Sequence, residues 1–202
     1  EAWGWLPPSL ADEGNKVQTA WLHNFLLNPY AIRPATVLRM PRFNMSDAEA
    51  SKLANYFAAV DNAEYPYEYN ERQQPTYLDV VRSERPNHLD NAFKILLDSK
   101  NFCAQCHSIG DFQTQQTLRQ RGPNLAQAGG RLRADYLQRW IANPQKILPY
   151  TGMPVNFPYG KEVAQNLYPG SSQQQVDGVV DLLTNFDLFI QQHYQISPLV
   201  EA

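Results

Sequence analysis

Two cysteines occur in the 202 residues, three apart and followed at once by a histidine: Cys103-Ala104-Gln105-Cys106-His107. A C-x-x-C-H run is the attachment signature of haem c. Its two thiols can add to the porphyrin vinyl groups, and the adjacent imidazole can ligate iron. Three other uses of the pair fit less well. A structural zinc site needs about four N/S ligands, and the chain offers no second cysteine pair and four histidines in all. A thioredoxin-like pair requires a strand-turn-helix setting that the neighbouring residues do not supply. A disulfide across two residues closes too small a loop to stabilise much.

Ordered motifs follow downstream: Gly122-Pro123-Asn124-Leu125, then Tyr136-Leu137-Gln138-Arg139-Trp140-Ile141-Ala142-Asn143-Pro144, then Pro149-Tyr150-Thr151-Gly152-Met153-Pro154. With the cysteine run, these give CxxCH, GPxL, YLxxWxxNP and PxTxMP in sequence. Residues 88–190 thereby resemble the class I (mitochondrial-type) cytochrome c family. The resemblance implies a small all-α wrap around one covalently attached haem c and electron transfer as the function. It also implies binding residues at Cys103, Cys106, His107, Pro123, Leu125, Arg131, Trp140 and Met153, with His107 and Met153 on the iron.

The side-chain chemistry can be read beside that resemblance. A ligating imidazole needs an acceptor for its other N–H to fix tautomer and basicity, and the family's acceptor is a carbonyl in the Gly122-Pro123 turn. A thioether is a soft ligand that raises the reduction potential and fills the sixth position, which favours electron transfer over substrate chemistry. The bland reading of Met153 is a core gap-filler; its place in a Thr-Gly-Met-Pro turn favours the ligand. Trp140 shares a helical face with Tyr136, Leu137 and Ile141, and by resemblance its indole N–H reaches a haem propionate. Arg119, Arg121, Arg131, Arg133 and Arg139 make this stretch basic. Propionates need cationic partners; Arg131 is the first candidate, the others being expected as solvated charges.

Helices must hold these groups. Asn87 is placed to cap a helix over 88–97 in which Leu89, Phe93, Leu96 and Leu97 share a face. Val176, Val179, Val180, Leu183, Phe186 and Ile190 mark another from Gln174 to about His193. The two are expected to cross with Ala92/Phe93 against Leu183/Phe186.

The first 61 residues carry a second signal. Without gaps and at an offset of 115, residues 8–36 match 123–151 at ten of 29 positions, and Met40-Pro41 then parallels Met153-Pro154. Ser46-Asp47-Ala48-Glu49 opens a capped helix to Val60. The pattern is an internal repeat whose first copy lacks CxxCH: either a degenerate half-domain or the back part of a longer di-haem protein. The expected organisation is 1–61, a partial cytochrome c-like domain; 62–87, an extended Tyr/Pro-rich connector lying against one or both domains; and 88–202, the haem-binding domain.

Composition narrows the function. The net charge of −3 and pI near 5.8 argue against nucleic-acid binding. No apolar stretch approaches the ~20 residues of a transmembrane helix, and mean hydropathy is −0.50. Glu1-Ala2-Trp3-Gly4-Trp5 does not read as a signal peptide, leaving a cytoplasmic, processed or partial chain. Covalent haem attachment implies the periplasm or another extracytoplasmic face. The leading expectation is an electron carrier with redox partners or fellow subunits. The alternatives are a haem enzyme or gas sensor with a displaceable Met153, and an assembly module of a di-haem protein.

Overall fold

Local signals open and close the helices of the computed structural model, which describes residues 9–190 and 195–200. A single turn, α1 (Glu13–Lys16), passes through extended Val17 and Gln18 into α2 (Thr19–Leu27), which ends at Asn28 ahead of Pro29. Helix α3 (Asp47–Val60) starts in a capping box, with Ser46 Oγ accepting from the Glu49 N–H and the Glu49 carboxylate from the Ser46 N–H. Helices α4 (Pro75–Glu84), α5 (His88–Leu97) and α6 (Cys103–Cys106) follow. Then come α7 (Ala128–Arg131), α8 (Ala134–Ala142) and α9 (Pro144–Ile147). Helix α10 (Ser172–Thr184) has its own capping box at Ser171 and Gln174. Short α11 (Phe186–Ile190) and α12 (Ser197–Val200) close the chain. Among the described residues there is no strand, so the described fold is all-α, and no helix is long and apolar enough to cross a membrane.

Two stretches are built alike. Helices α7 and α8 have the lengths of α1 and α2, 115 residues on, and each pair is joined by an extended two-residue link. The links meet antiparallel around Val17 and Leu132: Gln18 N–H donates to the Arg131 carbonyl (2.9 Å) and Arg133 N–H to the Lys16 carbonyl (3.1 Å). Gly14 presses on the backbone of α3 at Phe57 and Ala58, and Gly129 on the backbone of α10 at Leu183 and Thr184; a methyl group at either glycine would overlap a carbonyl oxygen. One contiguous apolar core runs from Val17, Leu22 and Leu26 through Ile95 and Leu96 to Val176, Val180 and Leu183.

Several sequence expectations are corrected. The Asn87 side chain does not cap α5; at φ −100°, ψ 14° it lies outside the extended geometry that a cap takes up. Helix α5 crosses α10 where small residues permit close approach, Ala92 at Gly178, while Phe93 meets Phe189 edge-on at 5.1 Å. The last long helix breaks at Asn185, whose amide donates to the carbonyls of Asp181 and Arg72; its expected end at His193 lies outside the described residues. The connector is not simply extended. Pro75 at the first turn starts α4, and Leu78 and Val81, one turn apart, are buried.

The connector is tied down by charge. Asp181, fully buried, accepts from Arg72 Nη1 (2.5 Å), Tyr77 Oη (3.0 Å) and His88 Nε2 (2.8 Å), and Tyr168 Oη donates to His88 Nδ1 (2.5 Å). Burial alone would raise the Asp181 pKa; the His88 and Arg72 hydrogen bonds outweigh it and hold the carboxyl below its ordinary value. Arg133, expected as a solvated charge, instead joins three segments: it donates to the carbonyls of Val17 and Glu64, to Thr19 Oγ1 and to Glu68. Arg139 pairs with Asp12 at 3.2 Å.

Candidate functional site: the CxxCH turn and the methionine loop

The single turn of α6 carries Cys103 and Cys106 three residues apart, nearly one turn and so on one face, and His107 leaves it in extended geometry while its N–H still bonds the Cys103 carbonyl at 2.9 Å. Thr114 Oγ1 donates to the Gln105 carbonyl at 2.7 Å and braces the turn. Both thiols are free. Burial pushes the Cys103 thiol up to about 12 and raises that of Cys106 by less, so both are protonated at neutral pH.

His107 is fixed from one side. Its Nδ1–H donates to the Pro123 carbonyl at 2.7 Å, and the Gly122 N–H donates to the Cys106 carbonyl at 2.9 Å, so the Gly122-Pro123 turn lies flat against the ring. Gly122 is the residue that sequence reasoning passed over: any Cβ there would overlap the imidazole. Burial keeps the His107 pKa below the ordinary histidine value, the Pro123 bond opposes that, and the charge of nearby Arg131 adds to it. The imidazole is therefore neutral, with Nε2 left as a lone-pair donor.

Arg131 ends α7 and is half-buried; partial burial lowers its pKa. It lies over the Trp21 ring at 6.0 Å, and among the described residues it makes no ion pair. Leu125 opens a 3-10 turn capped by Asn124 and packs against the core. Across the domain, Trp140 stacks on Tyr136 (6.0 Å between centroids), and its indole N–H donates to Met153 Sδ at 3.0 Å. The resemblance had assigned that N–H to a propionate; here its acceptor is the thioether. Thr151 Oγ1 accepts from the Met153 N–H and shapes the loop. The expected residues thus form two groups, one around His107 and one around Met153, with no hydrogen bond between them. Cavities of about 220 and 250 Å³ lie away from His107, Trp140 and Met153.

The donors suit a haem. Two cysteines on one turn precede a neutral imidazole whose Nδ1–H is satisfied, and a thioether and a half-buried guanidinium complete the set. Among the described residues no group of three or more His, Cys, Asp or Glu could hold another metal.

Residues 96–186 match the family model described as Cytochrome c. No curated protein and no solved structure matches the chain. Domains of that family perform haem-based electron transfer and work with redox partners. The cofactor is thus a covalently bound haem c with its iron, carried by the segment 96–186 that matches the cytochrome c model.

Proposed function

We propose that this chain transfers single electrons through one haem c held by thioethers from Cys103 and Cys106, with His107 and Met153 as the axial ligands. The observation that carries the reading is His107: its Nδ1 is bonded to the Pro123 carbonyl, which leaves Nε2 as the donor nitrogen, directly after Cys103 and Cys106 on one turn. The haem supplies the redox centre. Pro123 fixes the imidazole tautomer, Gly122 gives the ring its space, Leu125 and Trp140 provide apolar contact, and Arg131 offers a cation to the propionates. Met153, steered by Trp140 and Thr151, fills the sixth position and keeps substrates off the iron.

In this reading residues 1–61 are a partial second copy of the domain and 62–87 a structured tie between the copies. Support comes from the matched helices α1–α2 and α7–α8, the reciprocal bonds at Val17 and Leu132, and the like contacts of Gly14 and Gly129. A shared core and the Arg133 clamp suit a subunit or domain of a larger redox assembly at the periplasmic or another extracytoplasmic face. The test of ligation is the oxidised absorption spectrum: a methionine–iron charge-transfer band is expected, and it should vanish in Met153→Ala alone. A spectrum with an open or water-filled sixth position would favour an enzyme or gas sensor instead.

A further inference from the structure

The first unit repeats not only the frame of the second but the stacked aromatic pair of its haem side, and leaves one face of its closing helix and the preceding loop uncovered. Trp21 and Phe25 stack one helical turn apart (4.9 Å, 15°), at the places where Tyr136 and Trp140 stack (6.0 Å, 16°). The Thr36 N–H bonds the Arg33 carbonyl as the Thr151 N–H bonds that of Leu148, and each turn leads to a Met-Pro, Met40-Pro41 and Met153-Pro154. The glycine contacts set the register of the closing helices: Phe57 corresponds to Leu183, so Leu53, Tyr56 and Val60 stand at the places of Val179 and Leu182 in α10 and of Phe186 just beyond it. The latter are 1%, 0% and 4% exposed on the side where α5 crosses α10; the former are 37%, 59% and 62% exposed. Val37, Leu38, Met40 and Phe43 in the preceding loop are exposed as well. So large an apolar surface marks a place where something docks.

We propose that residues 9–61 are the receiving half of a second haem c centre, which takes a separate haem-bearing segment: an amphipathic helix laid on the Leu53/Tyr56/Val60 face of α3 and running into a C-x-x-C-H turn, with Met40 as the methionine ligand. This rests on the repeat reading above. The copy that is complete identifies the occupant, because α5, leading on to the cysteine turn of α6, fills the equivalent position on α10. Charge distinguishes the incoming helix from α5 itself. Lys52 stands where Gly178 touches Ala92, so the occupant carries an acidic residue there. A second copy of this chain fits poorly, since its own α5 is already buried against α10. Met45 packs on the core and is left as filler.

The chain has three methionines, which makes a direct test possible. The holoprotein, labelled at the methionine methyl carbons and reduced, would be titrated with a haem-bearing peptide of residues 88–110 containing Ala92→Glu. One methyl resonance strongly shifted by the porphyrin ring, that of Met153, is expected beforehand and two at saturation. The second should be lost in Met40→Leu and kept in Met45→Leu, and Leu53→Asp should weaken peptide binding at least tenfold. No second shifted resonance at saturating peptide, or its loss in Met45→Leu rather than Met40→Leu, would overturn the proposal. So would a dimer of the chain alone that Leu53→Asp dissolves, which would make a second copy the occupant. Absence of the first resonance would defeat the Met153 assignment instead, and the two failures are separately visible.

Discussion

Gly122 and His107 are separated by less than a methyl group's width, so the smallest possible substitution tests the site. Gly122→Ala should push the imidazole off the Pro123 carbonyl and lower the fraction of chains carrying low-spin haem several-fold, read from the absorbance of purified protein. Unchanged haem content and spectrum would mean that the turn does not position the ligand. In the proposed ligation, Met153→Ala acts on the other side of the iron. Loss of a soft sixth ligand should lower the reduction potential markedly and let cyanide or imidazole bind readily, while Met40→Ala in the chain alone should leave both properties unchanged. Equal effects of the two substitutions would place the haem elsewhere. The residues proposed as ligands can be picked out in the sequence because CxxCH and the Met-Pro turn are local. Gly122 was quoted within its motif, but its steric role shows only when the ring lies against it.

Helices carry the next level, and their cross-links explain which parts could not be read in advance. Periodicity marked α5 and α10, and the Ser/Glu pattern marked the cap of α3, since these depend on neighbours within one turn. The Asp181 cluster joins residues 72, 77, 88, 168 and 181 from four segments, and no spacing rule relates them. Asp181→Asn leaves Arg72 short of its buried partner and should cost about 3–5 kcal/mol of stability, measured by denaturant unfolding. A pH dependence follows from the same carboxyl. Its folded pKa lies below the unfolded value of about 3.9, so its contribution is fully present above that value and is lost as pH falls through the depressed folded pKa. Melting temperature should therefore drop steeply below about pH 4 in the native protein and less steeply in Asp181→Asn. Parallel pH profiles for the two proteins would show that the cluster does not hold the helices. The helix break at Asn185 and the start of α4 were missed for a related reason: side chains from other segments took over backbone partners, and tyrosine-rich sequence hid the Leu78/Val81 face.

At the scale of the molecule, the two alike-built stretches and the connector meet at Arg133, which bonds the first unit and the connector from its place beside α8. Removing its hydrogen bonds in Arg133→Ala should cost roughly 2 kcal/mol and speed proteolysis within residues 62–87 while sparing the haem spectrum; simultaneous loss of haem would mean that the units are not separable. The matched helix lengths and glycine contacts trace to residues that the two stretches share, glycine, proline and the Asn-Pro helix ends, which set geometry. The antiparallel meeting of Val17 and Leu132 was not legible in the sequence, since backbone bonds between extended links leave no side-chain pattern. All of this positions one covalent haem, so the most direct measurement is the intact mass of the denatured holoprotein together with its pyridine haemochrome spectrum. A mass increase of one haem with a c-type spectrum is expected, falling to a single thioether or to no holoprotein in Cys103→Ala. A denatured chain without added mass, its haem wholly extracted by acid-acetone, would contradict the assignment.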